Sequence, residues 1–96
     1  MAIEHAKSFV ENFFENDEFI KEVIRERGFS KTEDNSEDAE NNRMVNVANK
    51  MGFRFDVEEY KSACKDYMNG LGGWEATIRI FHMIRVATNV ANEENY

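Results

Sequence analysis

The stretch Val47-Ala48-Asn49-Lys50-Met51-Gly52-Phe53-Arg54-Phe55-Asp56-Val57-Glu58-Glu59-Tyr60 encodes a helix stop, a two-aromatic corner and a helix start. Gly52 follows apolar residues at helical spacing (Met44, Val47, Ala48, Met51). It therefore reads as the left-handed residue just past a helix end, with Phe53 folding back onto Ala48 and Val47. Asp56 offers a side-chain oxygen to the orphan amides of the next helix, and Glu59 can reach back to it. Phe55 and Tyr60 stand at the two positions of a hydrophobic staple. A cap of this kind contributes ~1 kcal/mol, so the corner is expected to be well ordered.

On the N-terminal side, Ile3, Ala6, Phe9, Val10, Phe13 and Phe14 recur at three- and four-residue steps, which predicts a first helix near 3–14 with one apolar stripe, flanked by His5. Asn16-Asp17 breaks the series. Asp17 is a suitable cap for a second helix near 18–27 whose inner face is Phe19, Ile20, Val23 and Ile24. Arg25 and Arg27 suit the negative end of that helix, and Gly28-Phe29 forms a second Gly-Phe stop, with Phe29 able to close onto Ile24. Residues 30–42 hold one weakly apolar side chain, Ala39, so 30–40 reads as a mobile acidic linker. A third helix near 38–51 follows, with Asp34 or Ser36 as possible caps. The fourth, near 57–68, carries Val57, Tyr60, Ala63, Cys64, Tyr67 and Met68 inward and its stripe continues to Leu71.

Asn69-Gly70-Leu71-Gly72-Gly73 reads as a boundary by its glycine content, dividing a helical unit at 1–69 from a C-terminal segment at 74–96. Two templates compete beyond it. Ile78, Phe81, Ile84 or Arg85, and Thr88 follow a helix, whereas Ile78, Ile80, His82, Ile84 and Val86 follow a strand. A lone strand has nothing to pair with in a helical chain, which favours a fifth helix or a flexible tail. Residues 91–96 read as a frayed acidic end. The expected fold is all-α, a small bundle of four helices with this C-terminal addition.

Composition bounds the function. Ninety-six residues, 42% apolar and 32% charged, suffice for one small core but not for a buried catalytic cavity with its own supporting shell. Twelve basic against nineteen acidic residues give a net charge of -7, which repels phosphate backbones and anionic lipid; nucleic acid is not an expected partner. No apolar run approaches the ~20 residues of a membrane span, and Met1-Ala2-Ile3-Glu4-His5 lacks a secretory signal's basic start. Neither membrane insertion nor export of the whole chain is expected, and a cytoplasmic monomer or weak oligomer is. The lone Cys64 agrees with a reducing compartment.

Catalytic signals are not visible. His5, Cys64 and His82 fall on three elements without metal-ligand spacing, so no metal or cofactor is expected. Cys64 has no histidine among its neighbours to activate it and reads as a small core residue. The Gly70–Gly73 segment lacks the Lys-Ser/Thr of a phosphate loop. The acids at Glu33–Glu40 and Glu93-Glu94 read as solvated charge.

The pattern Ala-x-x-x-Gly-Phe-x-Phe-x-x-Glu-Glu from Ala48 to Glu59 resembles the signature of the Nif11-like leader peptides, and the amphipathic opening from Ile3 to Val23 agrees with it. The resemblance covers residues 2–68 and is weakest in the linker, which is longer than usual in that family. It implies a leader held by a maturation enzyme that modifies a downstream core, followed by cleavage at a double glycine by a peptidase-bearing exporter. Gly72-Gly73 then stands at the cut and residues 74–96 at the core, where Thr77, Arg79, Arg85 and Thr88 are candidate modified positions. This chain departs from the pattern in having Gly70 four positions before the cut, where such leaders are usually apolar. It also has no cysteine after the cut, so lanthionine rings cannot form there. Candidate partner-binding residues are Phe53, Arg54 and Phe55 on the corner and Tyr60 and Tyr67 on the helix that follows. On the residues alone, the glycines serve equally as a joint between the fourth helix and a fifth. In that case the chain reads as a stand-alone helical adaptor, or as an acidic inhibitor covering a basic surface.

Overall fold

The computed structural model describes residues 3–28, 33–34 and 36–94. Five helices follow one another: α1 (Ile3–Glu15), α2 (Asp17–Arg27), α3 (Glu37–Lys50), α4 (Val57–Leu71) and α5 (Gly73–Glu94). No strand occurs among the described residues, so the strand template for 74–90 is overturned and the segment is a long helix. The proposed closure of Phe29 on Ile24 lies outside the described residues.

Alpha-helical punctuation accounts for the corner after α3. Gly52 takes φ +99°, its amide donates to Asn49 O at 3.2 Å, and the Phe53 amide donates to Ala48 O at 2.9 Å. These two bonds form a Schellman stop and satisfy carbonyls the helix would otherwise leave open. The capping box is complete: the Glu59 amide donates to Asp56 Oδ1 at 2.8 Å, and the Asp56 amide donates to Glu59 Oε1 at 3.0 Å. Phe55 and Tyr60 stack with centroids 6.0 Å apart, which is the staple.

Several boundaries differ from the sequence reading. Asn16, not Asp17, caps α2, its Oδ1 accepting from the Phe19 amide at 3.1 Å; Asp17 is already helical and faces His82 of α5. Either residue has the chemistry, and the backbone bond from Asn16 N–H to Asn12 O leaves room for only one non-helical residue. Ser36 caps α3, accepting from the Ala39 amide. Helix α4 runs through Asn69 and Gly70 to Leu71, because a glycine weakens a helix without obliging it to stop. The expected glycine boundary contracts to Gly72, at φ +81°, and Gly73 opens α5. Residues 91–94 belong to α5 and are not a frayed end.

Phe9 is fully buried, and its ring is neighboured by Phe13, Phe19, Phe53, Phe55 and Tyr60, drawn from α1, α2, the corner and α4. Ile20, Val23, Met44, Val47 and Ala63 extend the same cluster. Val86 and Val90 of α5 also belong to it, so the C-terminal segment contributes to the one core. Helix α5 lies against α2, α1 and α4.

Gly52 has open space where a Cβ would stand, so any cost of substitution is backbone strain alone, while Gly70 has open space and an ordinary φ. Gly52→Val is expected to lower stability by at least ~1–2 kcal/mol. Gly70→Ala, in the last turn of α4, is expected to raise it by less than the ~0.5–1 kcal/mol of a mid-helix glycine. Urea denaturation reads both, and a Gly52→Val chain with the parent's midpoint contradicts the corner as described.

Candidate interaction surface

The sequence-predicted contact residues are not all on the surface. Phe55 and Tyr60, expected as contact residues, are buried in the aromatic cluster, so their rings serve the core. The staple that makes these two rings legible in the sequence is also what turns them inward. Phe53 is half-buried, edge-on to Phe9 and Phe19, with His5 beside it. Arg54 is exposed, and its amide donates to His5 Nδ1 at 3.0 Å, which ties the corner to α1. Tyr67 is half-buried against Phe14 and donates its hydroxyl to Glu15 Oε2 at 2.8 Å. Burial and the bond to Glu15 push that phenol up to about 12.

The candidate cut and modification positions fall at the start of α5 and along it. Gly72 and Gly73 are exposed. The Thr77 hydroxyl donates to Gly73 O at 2.9 Å, while Arg85 and Thr88 are exposed. Arg79 is half-buried, and its Nε, shielded from solvent, has no hydrogen-bond partner.

Helix α5 carries the feature that the sequence reading missed. Its inner side holds Met83, Val86, Ala87 and Val90, in or against the core. Its outer side exposes Trp74 (77%), Phe81 (65%), Ile84 (47%) and Ile78 (44%). At about 100° per residue these four lie on the side away from Val86 and Val90, and residues three and four apart stand next to one another along it, so they form one stripe. A helix apolar on two opposite sides has no single stripe to read. That is why a strand template matched it as well as a helical one did.

A second feature lies where all five helices meet: a cleft of about 350 Å³ walled by Phe14, Ile24, Met44, Tyr60 and Met83, with Arg27 and Glu40 on one side. The acids at Glu33 and Glu40 are not simply solvated, as the sequence suggested. Both pair with Arg27, whose guanidinium is almost wholly buried, with Nε to Glu40 Oε2 at 2.9 Å and Nη2 to Glu33 Oε1 at 2.9 Å. Arg43 approaches Glu40 as well, at 3.2 Å. The bond to Glu40 raises the Arg27 pKa further, and the same bond holds the Glu40 carboxyl below its ordinary range. The charges on this wall are therefore already matched to each other. Cys64 is half-buried, and burial pushes its thiol up, which keeps it protonated and poorly nucleophilic. Among the described residues no three His, Cys, Asp or Glu side chains gather as a metal site. Among the described residues no helix is long and apolar enough to cross a membrane.

No family model, curated protein or solved structure matches this chain. The outer stripe of α5 is the surface with the most to offer a partner. Isolated exposed apolar residues are ordinary, whereas a contiguous stripe with two large aromatics marks a contact site.

Because the Glu40 pKa is depressed in the folded chain, its pairing stabilises above the unfolded value and is lost as pH falls through the folded one. As pH falls below 4.5, the ordinary value for a glutamate carboxyl, the urea midpoint is expected to fall, and Glu40→Gln to flatten that acid limb. An unchanged acid limb in Glu40→Gln contradicts the pairing.

Proposed function

We propose that this chain works by binding another protein through the outer face of α5, with α1 to α4 as the scaffold that presents it. The observation that carries the reading is the division of α5 into an inner side held by Val86 and Val90 and an outer side exposing Trp74, Ile78, Phe81 and Ile84. Large aromatics are the side chains on which interfaces most often depend, and a helix fixed by its opposite side loses little freedom when it docks. The scaffold contributes rigidity, since the corner is stopped, capped and stapled within a few residues.

The precursor reading implied by the Nif11-like resemblance is a second possibility, favoured by one observation. Gly72 and Gly73 are exposed, and Gly72 is the single non-helical residue joining α4 to α5. In that reading a maturation enzyme holds α1 to α4, where Arg54 and the edge of Phe53 are the accessible part of the corner. A peptidase-bearing exporter then cuts after Gly73, which takes Val86 and Val90 out of the core.

Intact mass spectrometry of the chain from its native host separates the two. The binding-module reading expects a chain that is neither cut after Gly73 nor modified in 74–96. A product ending at Gly73, or mass shifts confined to 74–96, supports the precursor reading instead. A photo-crosslinking residue at position 81 is expected to give adducts that the same residue at exposed position 61 does not. The captured protein, once purified, should move the emission of the single tryptophan, Trp74, to shorter wavelength. No adduct at 81 contradicts the proposal.

A further inference from the structure

We infer that the occupant of this face is a second copy of the chain, with the two α5 helices packed antiparallel about a twofold axis; the inference rests on the reading of the face as a protein-binding surface. Trp74, Ile78, Phe81 and Arg85 are separated by steps of four, three and four, the rhythm of a helix–helix seam, and all four are exposed. A four-three-four series reads the same from either end. Turned about the midpoint between Arg79 and Ile80, an antiparallel copy sets Ile78 against the partner's Phe81, and Phe81 against the partner's Ile78. The same turn brings Arg85 level with the partner's Trp74, where a guanidinium can lie on an indole face. The stripe is therefore complementary to itself, which is what a twofold interface requires.

Charge and area point the same way. The chain as a whole carries -7, yet from Gly73 to Asn92 the only acidic residue is Glu75, against Arg79 and Arg85. Two copies approaching by this face keep most of the chain's acidic excess away from the contact, and the partner's Glu75 stands one residue from Trp74, within reach of Arg85. From the exposures of Trp74, Phe81, Ile84 and Ile78, the stripe offers roughly 500 Å² of apolar surface per copy. Two copies would bury about 1,000 Å² with the whole stripe covered, the size of a weak, reversible interface, which fits micromolar affinity better than nanomolar. The body of each copy lies on the inner side of its own α5, away from the seam.

Sedimentation equilibrium of the full chain, from low micromolar to millimolar concentration, tests this directly. The mass is expected to rise from 11.2 kDa toward twice that value, with Trp74 emission moving to shorter wavelength in parallel. Phe81→Glu is expected to weaken the association ~100-fold or more, and Trp74→Ala to weaken it as well. Both leave helicity by circular dichroism unchanged, since both side chains are exposed. A mass fixed at 11.2 kDa across the range overturns the inference, as does a dimer that survives Phe81→Glu. If the chain stays monomeric while the position-81 crosslinker captures a different protein, only the second-copy inference falls. If it stays monomeric and gives no adduct, the proposed function falls with it.

Discussion

The buried ring of Phe9 is the point to which the other elements are referred. Its neighbours at 5.5–6.3 Å are Phe13 from its own helix, Phe19 from α2, Phe53 and Phe55 from the corner, and Tyr60 from α4. Removing such a ring from a core typically costs ~3–5 kcal/mol, a large share of the stability of a small domain. The corner matters because it delivers two of those neighbours. Gly52 turns the chain so that Phe53 comes back toward α1, and the Asp56 cap starts α4 so that Phe55 and Tyr60 stack beside it. Polar ties then hold α1 at both ends, through His5 to the Arg54 amide and through Glu15 to the Tyr67 hydroxyl.

Much of this is legible in the sequence because it is local. The helix stop at Gly52, the Asp56-Glu59 box and the Phe55-Tyr60 staple are set by residues within a few positions of one another, as are the apolar stripes of α1 to α4. What the sequence conceals is of two kinds. The Arg27 cluster depends on acids six and thirteen residues away, and an acidic run reads as solvated unless the cation it meets is known. Helix α5 is hidden for another reason. Its inner and outer apolar residues superimpose in one dimension, so periodicity cannot separate the side that enters the core from the side that does not.

The candidate site follows the same division. Aromatics at a turn were the natural choice for a contact surface, and two of them, Phe55 and Tyr60, are needed inside. Position within the chain does not distinguish a ring that packs from one that waits for a partner; only the count of neighbours around it does. Around Trp74 and Phe81 there are too few to bury them, although both lie on a helix whose other side places Val86 and Val90 in the core. The Gly72 joint explains the arrangement: a single residue at positive φ lets α5 leave the end of α4 at once and lie back across the bundle.

The account depends most on α5 being part of the folded unit and not an appended tail. Native-state amide exchange followed residue by residue tests this most directly. If Val86 and Val90 lie in the same core as Phe9, the amides of 86–90 exchange with an opening free energy close to that of the amides of 9–13 in α1. Exchange of 86–90 near the free-peptide rate, with 9–13 still protected, would contradict the account.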